Sequence, residues 1–290
     1  MKNKLLGLMF AALLLAGCGT AAQPKQTEAP DTAAAETSAE DESAAEAAAA
    51  DGAIIDTIKD RGYLICGCKM DVPGLGLYDE AADTWSGIEV ELAWQTAAGI
   101  FGTDIQDAKA KGLVHFEGVT VADRESKLEA GDIDCMIATY TITDERAKRF
   151  AISDSYYTDY IGIMVRYTGD NANAVGSMGN IYSIADLDGR YIGVAQNSTT
   201  RDDMLAYINM MNTIKPSPIF CVYDSYPALF EALKEEKIDA MSVDVSILNG
   251  YVDSETRILD DRFAGQHYGA AVRKGDEALI TYINQAIASM

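Results

Sequence analysis

Apolar and polar positions alternate along residues 52–290 in short blocks that switch between the strand period and the helix period. Short apolar runs bounded by glycine or charge are typical of buried strands, and apolar residues three or four positions apart are typical of helices. The pattern predicts strands at Tyr63–Cys68, Gly112–Val119, Ile133–Ala138, Ile161–Arg166, Tyr191–Ala195, Ile219–Val222, Ala240–Val243 and His267–Val272. It predicts helices at Gly87–Phe101, Ala122–Ala130, Thr143–Phe150, Ser198–Met211, Tyr226–Glu236, Ile247–Tyr251 and Glu277–Ala288. This alternation indicates an α/β fold with mostly parallel sheets.

One short submotif occurs twice in the folded part. Leu128–Met136 is echoed by Leu233–Met241, and each stretch combines a helix end, a turn, an Ile-Asp pair and a buried strand. The repeat predicts two similar lobes. Because ligands of open α/β sheets bind beyond the carboxyl ends of the strands, two such lobes facing each other form a binding cleft.

The N-terminus has the character of an export signal. Lys2 and Lys4 precede an apolar run, Leu5–Leu15, which is too short to span a bilayer comfortably. Cys18 follows Leu-Ala-Gly at the place of the small-residue cleavage site, an arrangement that resembles the bacterial lipobox. The resemblance implies that residues 1–17 are a lipoprotein signal peptide and that the Cys18 thiol carries lipid. The alternative is an ordinary signal peptide with a chance cysteine.

Residues 18–51 are rich in alanine, glutamate, serine and threonine and contain no aromatic residue. Such a segment buries too little apolar surface to offset its chain entropy. We therefore expect a disordered acidic tether that holds the folded part away from the membrane.

The charge balance narrows the possible partners. The chain has 290 residues and a net charge of −22, which argues against nucleic acid and against adsorption of the folded surface to anionic lipid. A small anionic ligand would need local positive charge, so clustered lysine and arginine residues are candidates for binding it. The four cysteines beyond the signal lack CxxC spacing, and we expect buried structural thiols at Cys66, Cys68, Cys135 and Cys221. No metal or cofactor is indicated.

Four stretches, in order, carry a family resemblance. They are Gly67–Gly74 with Gly87–Ala93, Ala138–Arg146 with Phe150–Tyr157, Leu187–Thr200, and Ile238–Asp244. As a set they resemble family 3 of the extracellular solute-binding proteins, the polar amino-acid receptors of ABC importers, and most closely their aspartate and glutamate binders. The resemblance covers the chain from about Tyr63 to its C-terminus.

The resemblance implies a periplasmic-binding-protein-like type II fold, with two lobes joined by two hinge crossovers. The crossovers are expected near Thr158–Tyr160 and Gln266–Tyr268. Lobe 1 then comprises residues 52–158 and 267–290, and lobe 2 comprises residues 159–266. Ligand binding is expected to close the lobes by a hinge motion.

Arg146 is the predicted clamp for a ligand α-carboxylate. It falls in the first turn of the helix that Thr143 begins, where a cation opposes the helix dipole unless an anion lies at the same place. The resemblance gives this role to Arg146, assisted by Ser198 and Thr199. The alternatives are a surface arginine paired with a neighbouring carboxylate, Asp144 or Glu145, and a capping box formed by the Ser198–Thr199 turn with the following aspartates.

The ammonium clamp is predicted at Asp244, which ends a buried strand. A buried ammonium needs a charged partner, and the resemblance assigns that role to Asp244. The alternative is a helix N-cap. Thr139 and Thr141 are expected to offer hydroxyl or backbone groups to the ligand, although threonines in strands are often only good β-formers.

Lys69, Arg124 and Tyr226 are the expected determinants of side-chain specificity, and Tyr268 can supply a wall or a hydroxyl. Cations gathered near one cleft of an acidic protein favour a ligand with more than one negative group. Many family members carry an aromatic residue after Val-Pro, but Val72-Pro73 is followed by glycine and leucine. This departure disfavours arginine, lysine and histidine. Glutamate or aspartate is the expected ligand, and glutamine or another polar amino acid is the alternative.

The resulting hypothesis is a monomeric, lipid-anchored receptor that delivers an amino acid to an ABC transporter permease. Two rival functions use the same fold. One is a cyclohexadienyl dehydratase-like enzyme, for which the sequence offers no distinctive catalytic residue. The other is a sensor or adhesin without a transport role.

Overall fold

The computed structural model describes residues 52–167, 181–213 and 215–290. The predicted signal peptide, Cys18 and the tether lie outside the described residues. In the described part of the chain, no helix has both the length and the apolar character needed to cross a membrane.

Helices and short strands alternate through the described ranges. The helices are α1 (52–61), α2 (Ile88–Phe101), α3 (Ile105–Lys111), α4 (Arg124–Ala130), α5 (Asp144–Arg149), α6 (Thr200–Met210), α7 (Tyr226–Lys234), α8 (Val245–Tyr251) and α9 (Glu277–Ser289), with a 3₁₀ turn at Ile184–Asp186. The strands are β1 (Leu64–Cys68), β2 (Asp71–Val72), β3 (Gly76–Asp79), β4 (Thr84–Ser86), β5 (Val114–Gly118), β6 (Cys135–Ile137), β7 (Phe150–Arg166), β8 (Tyr191–Ala195), β9 (Ile219–Tyr223), β10 (Ala240–Asp244), β11 (Thr256–Ile258) and β12 (Phe263–Arg273).

One mixed sheet runs through both lobes in the order β5-β1-β6-β12-β7-β10-β8-β9, and β11 also pairs with β7. Strands β1, β5 and β6 are parallel in the first lobe, and β8 is parallel to β9 and β10 in the second. The strands β7 and β12 are antiparallel to each other and join the lobes. The predicted two-lobed α/β fold is therefore confirmed.

The two joining strands are longer than the hydrophobic pattern predicts. Thr158 pairs with His267 and Asp159 with Gln266, so the two predicted crossovers lie inside paired strands rather than in loops. Strand β7 has 17 residues, but several positions in its middle, such as Asp154 and Ser155, are exposed. The predicted strand Ile161–Arg166 is confirmed as the last part of β7, but the earlier part of β7 was missed because this polar middle section interrupts the apolar run.

The repeated Ile-Asp submotif has the same contacts in each lobe. The Asp134 carboxylate accepts the N–H of Ile65 at 2.7 Å, and the Asp134 N–H donates to the Ile65 carbonyl at 2.9 Å. The Asp239 carboxylate accepts the N–H of Tyr191 at 2.7 Å, and its own N–H donates to the Tyr191 carbonyl at 2.7 Å. Each aspartate thus ties the turn before one strand to the start of the parallel strand beside it.

The isoleucine of each submotif covers a glycine in that neighbouring strand. A Cβ on Gly67 would lie 2.5 Å from Cδ1 of Ile133, and a Cβ on Gly193 would lie 2.4 Å from Cδ1 of Ile238. A side chain at either glycine would displace the covering residue. The sequence repeat therefore corresponds to a repeated packing unit.

The sequence prediction omits the helices α1 and α3. It also omits β11 and the meander of β2, β3 and β4, whose strands are too short to show a period. The meander ends at Gly87, which has a φ of 114° and precedes α2. A Cβ on Gly87 would lie 2.0 Å from the carbonyl oxygen of Leu75. Only glycine fits this close approach.

Apolar clusters lie on both faces of the sheet in each lobe. One cluster crosses between the lobes, and it brings Val72, Leu75 and Val121 of the first lobe against Tyr226 and Ile247 of the second. The lobes therefore contact each other along their facing edges, and the arrangement is closed.

Candidate functional site

A small pocket lies between the lobes, at the carboxyl ends of β6, β8 and β10, and we refer to it as the cavity. Its wall is formed by Arg124, Thr139, Thr141, Arg146, Ser198, Thr199, Thr200, Tyr226, Val243, Asp244 and Ile247. Eight of these eleven residues are predicted from the sequence, and the other three are Thr200, Val243 and Ile247. The remaining two predicted residues, Lys69 and Tyr268, lie behind the wall, where they contact Tyr226 and Asp244 respectively.

Arg146 is placed by the cap of helix α5. The Thr143 hydroxyl accepts the N–H of Arg146 at 3.2 Å, which fixes the first turn. The guanidinium donates to the Thr141 carbonyl at 2.7 Å and, across the cleft, to the Asn197 carbonyl at 2.9 Å. Both acceptors are neutral, so neither of these hydrogen bonds compensates the charge of Arg146.

The environment of Arg146 is buried and positively charged. Burial, and secondly repulsion by Arg124, lower the pKa of Arg146 to about 10. Among described residues, the carboxylate within ion-pair distance is that of Glu125, at 3.8 Å. The alternative of a surface arginine paired with Asp144 or Glu145 is therefore wrong.

Arg124 opens helix α4 and is 2% exposed. One guanidinium nitrogen donates to the carbonyls of Ala138 at 2.6 Å and Thr139 at 3.1 Å, and the buried Nε has no partner. No described carboxylate lies within 4.0 Å of this guanidinium. A buried cation without a counter-ion is costly, so the site favours an anion beside Arg124.

Asp244 ends strand β10 and immediately precedes helix α8. Its Oδ2 accepts the Tyr268 hydroxyl at 2.5 Å, and its side chain makes no capping bond to α8. The N-cap alternative is therefore wrong for the side chain. Burial raises the pKa of Asp244 to about 7, although the Tyr268 hydrogen bond acts in the opposite direction.

The hydroxyls of the turn between β8 and α6 do not donate to or accept from the backbone of α6. Ser198 donates to the Ala195 carbonyl at 2.7 Å, and Thr199 donates to Gln266 at 3.0 Å. Helix α6 has no side-chain cap, so the capping-box alternative is wrong. The N–H groups of its first turn are left to face the cavity or solvent.

Gln266 links both lobes and is not predicted from the sequence. Its Oε1 accepts the hydroxyls of Thr141 at 2.7 Å and Thr199 at 3.0 Å, and its Nε2 donates to Asp203 at 3.1 Å. The residue lies on the joining strand β12 and is 2% exposed. Nothing in its local sequence distinguishes it from an exposed strand glutamine, so only the fold reveals it.

Glu89 supports the turn after β6 and is also missed by sequence reasoning. Its Oε1 accepts the N–H of Thr139 at 2.5 Å and the hydroxyl of Tyr156 at 2.6 Å. Thr139 has a φ of 46°, a conformation that favours glycine and needs such support. Burial raises the pKa of Glu89 to about 7. Acidic residues are common in the first turn of helices, so the sequence gives no signal of burial.

Lys69 is neutralised within its own lobe. Its Nζ lies 2.9 Å from Asp71 Oδ1 and donates to the Val119 carbonyl at 3.3 Å. It also sits 4.6 Å from the centre of the Tyr226 ring, and burial lowers its pKa. Lys69 therefore supports the cavity wall from behind.

The four cysteines are free thiols. Cys66, Cys68 and Cys135 are buried as predicted, but Cys221 is only partly buried because β9 is the edge strand of the sheet. The prediction of a buried thiol at Cys221 was wrong for that reason.

The family model of the bacterial extracellular solute-binding proteins, family 3, matches residues 64–290. The chain belongs to this family. The match begins at the first residue of β1 and includes both lobes and every residue that lines the cavity.

Named relatives of this family 3 protein are binding proteins. It is 28% identical over 287 residues to the ABC transporter glutamine-binding protein GlnH of Bacillus subtilis, covering 97% of this chain and 89% of the relative. It is 26% identical over 239 residues to the glutamate-binding protein GluB of Corynebacterium efficiens, covering 80% and 75%. A solved structure of an ancestral arginine-binding protein bound to arginine is 28% identical, with a TM-score of 0.63 and coverage of 79% and 92%.

Proposed function

We propose that this family 3 protein is the extracytoplasmic substrate-binding lipoprotein of an amino-acid ABC importer, and that it binds glutamate or aspartate. The charge of the cavity wall carries this proposal. Arg124 and Arg146 contribute two positive charges and Asp244 one negative charge. An acidic amino acid has one ammonium and two carboxylates, so it complements this wall group by group.

The wall gives each ligand group a partner. Arg146 and the N–H groups at the start of α6 suit the α-carboxylate, and Asp244 suits the ammonium. Arg124, which has no described counter-ion, then faces the side-chain carboxylate. Thr139, Thr141, Ser198 and Thr199 complete the polar wall, and Tyr226 its aromatic part.

Glutamine is the second candidate ligand, because a relative aligned over 97% of this chain is named as glutamine-binding. A glutamine side chain could accept hydrogen bonds from Arg124 but would leave its charge uncompensated. We therefore expect glutamine to bind more weakly than glutamate. An arginine side chain would bring a cation to Arg124, and we expect no binding.

Thermal unfolding in the presence of each of the twenty amino acids tests the proposal. A ligand that binds the folded state in large excess raises the melting temperature by several degrees. We expect this shift with glutamate and aspartate. A shift with glutamine alone would retain the receptor and overturn the acidic specificity, and no shift with any amino acid would overturn the receptor.

Arg124→Gln separates specificity from stability. We expect it to abolish the preference for glutamate over glutamine, since the counter-charge is lost. Arg166→Gln is a matched control, because Arg166 is also buried and bonded to backbone carbonyls, those of Leu233 and Ile238, outside the cavity. The control should lower stability without changing the order of ligands.

We further propose that Cys18 carries the lipid anchor, that the closed form docks on a permease, and that the cavity performs no chemistry. Mass spectrometry of the mature N-terminus tests the first point, and Cys18→Ser should release the protein from the membrane. Turnover of prephenate or arogenate by the purified protein would contradict the last point.

A further inference from the structure

A second buried carboxylate, that of Asp159, lies behind Asp244, the proposed partner of the ligand ammonium. Asp159 lies on the joining strand β7 and is 6% exposed. Its Oδ1 accepts the N–H of Tyr160 at 2.7 Å, and its Oδ2 accepts both the N–H of Ser246, at 3.0 Å, and the Ser246 hydroxyl. No described cation lies within 4.0 Å of it, so this buried carboxylate is held by hydrogen bonds alone.

Asp159 takes over the capping of helix α8. The helix begins directly after Asp244, and an aspartate at that position normally accepts the N–H of the second or third helical residue. Here the N–H of Ser246, the second residue of α8, is taken by Asp159 instead. The Asp244 carboxylate is thereby released from its own helix and remains in the cavity wall.

One hydroxyl joins the two carboxylates. The Tyr268 hydroxyl lies 2.5 Å from Oδ2 of Asp244 and 3.3 Å from Oδ2 of Asp159. A hydroxyl has a single proton, and the shorter distance assigns it to Asp244. The Asp159 carboxylate therefore lies on the other side of the Tyr268 oxygen from Asp244. A cation in the cavity would be attracted by both carboxylates.

We infer that Asp159 is a positioning residue of the ammonium site, which frees Asp244 by capping α8 and adds a second negative charge behind Tyr268. Asp159 does not line the cavity, so it would act on the ammonium through Asp244 and Tyr268. The inference rests on the proposed function, in which Asp244 receives the ligand ammonium. It deepens that function by linking the ammonium site to a strand that joins the lobes.

Several ionisable groups surround Asp244 and set its titration. They are Asp159 on β7, Tyr268 on β12, Arg124 on α4, Asp203 on α6 and Tyr226 on α7. Burial raises the pKa of Asp244 most, the Tyr268 hydrogen bond lowers it, and Asp159 raises it further. An ammonium needs the ionised carboxylate, so affinity should be full above the pKa of about 7 and fall below it.

Substitutions of Asp159 and of Tyr268 should therefore shift the pKa of Asp244 in opposite directions. Asp159→Asn removes a negative charge, which should lower the pKa of Asp244 and move the loss of affinity to lower pH. Tyr268→Phe removes the stabilising hydroxyl, which should move the loss of affinity to higher pH. A residue that only supported the fold would change affinity at every pH and leave the midpoint in place.

Calorimetric titration of the purified protein with glutamate, aspartate and glutamine, from pH 5.5 to 8.5, tests the inference. In the unmodified protein we expect about a tenfold loss of affinity between pH 8 and pH 6 for any of the three that binds. Asp159→Asn should bind several times more weakly at pH 8 and should show a midpoint lower by about half a pH unit or more. Asp154→Asn is the control, because Asp154 is an exposed residue of the same strand.

The outcomes separate this inference from the proposed function. If the unmodified protein binds none of the three ligands, the proposed function fails. If it binds and Asp159→Asn matches Asp154→Asn in affinity and midpoint, the inference is overturned. A uniform loss with an unmoved midpoint also overturns it. If Asp159→Asn does not fold, the Tyr268→Phe midpoint decides: an upward shift supports the Tyr268–Asp244 link on which the inference depends, and no shift overturns it.

Discussion

At the scale of single residues, the site depends on buried charges whose partners come from distant parts of the chain. Glu89 shows this most clearly. It bonds Thr139, 50 residues away, and Tyr156, 67 residues away, and it is fully buried. Its second carboxylate oxygen is buried without a partner. A protonated acid fits this position better than a carboxylate does, because the charge has no described cation within ion-pair distance.

Glu89 should therefore make stability depend on pH. Its pKa is raised to about 7 in the folded protein, above the value of about 4.3 in an unfolded chain. The folded state thus holds the proton more tightly, and this contribution to stability is complete at low pH and is lost as pH rises through 7. The free energy of unfolding of the unmodified protein, relative to Glu89→Gln, should fall by about 3 kcal/mol between pH 4 and pH 8.

Urea unfolding of both proteins across this pH range measures the difference. Glu91→Gln is the matched control, since Glu91 lies on the same helix at the surface and pairs with Lys109. Its difference curve should be flat above pH 5.5. A flat curve for Glu89→Gln would mean that Glu89 is ionised in the folded protein.

Most of the residues that line the cavity could be predicted, because the family resemblance assigns ligand roles to cations at helix starts and to polar residues at strand ends. Lys69 could not be placed correctly, since its pairing with Asp71 depends on the turn after β1. Gln266, Glu89 and Asp159 could not be found at all. Each acts through partners that only the three-dimensional fold brings near.

At the scale of elements, the caps of short helices position the cavity side chains. Thr143→Ala removes the hydroxyl that accepts the N–H of Arg146. Loss of such a cap costs about 1 kcal/mol, and here it should also loosen Arg146 and weaken amino-acid binding severalfold. Asp104→Ala is the control, because Asp104 caps α3 by accepting the N–H of Asp107 at 2.8 Å, outside the cavity.

Chemical unfolding and calorimetry together decide the Thr143 prediction. Both variants should lose similar stability, and only Thr143→Ala should lose affinity. Equal affinities for the two variants would show that Arg146 is held by its bonds to Thr141 and Asn197 without help from the cap.

The order of elements was also largely predictable, and the incomplete prediction of β7 and β12 has a common cause. Helix and strand periods identify the elements of each lobe because each buries one apolar face. Strands β7 and β12 pass between the lobes, where burial changes along the strand, so Ser155 is exposed while Ile161 is fully buried. A single strand with two environments has no uniform pattern. The joining strands therefore had to be seen in the structure.

At the scale of the whole molecule, the lobes are held closed by contacts across the cleft. Arg146 donates to the Asn197 carbonyl, and the Asn197 amide donates to the Ala122 carbonyl at 3.2 Å. Asn197 has a φ of 58°, which an asparagine tolerates better than most residues. The lobes also share the apolar cluster around Tyr226 and Ile247, so their separation would expose apolar surface as well as break these hydrogen bonds.

The charge of the whole chain should oppose the entry of an anionic ligand. The net charge is −22, and the groove at the mouth of the cavity carries Glu125, Glu145, Asp202 and Asp203 against Arg146 and Arg149. If the proposed ligand is correct, glutamate, with one net negative charge, should be repelled by this groove before it reaches Arg146 inside. Salt reduces the range of this repulsion, because the screening length falls from about 30 Å at 0.01 M to about 8 Å at 0.15 M. The association rate of glutamate should therefore rise severalfold between these salt concentrations.

Stopped-flow measurement of tyrosine and tryptophan fluorescence gives this rate. Glutamine is the control ligand, since it has no net charge and its association should be nearly insensitive to salt. The dissociation rate of glutamate should rise much less than its association rate, because the proposed binding groups, Arg124 and Arg146, are buried and poorly screened. If added salt slows glutamate association, the field at the cavity mouth is positive rather than negative, and the arginines inside determine capture as well as specificity.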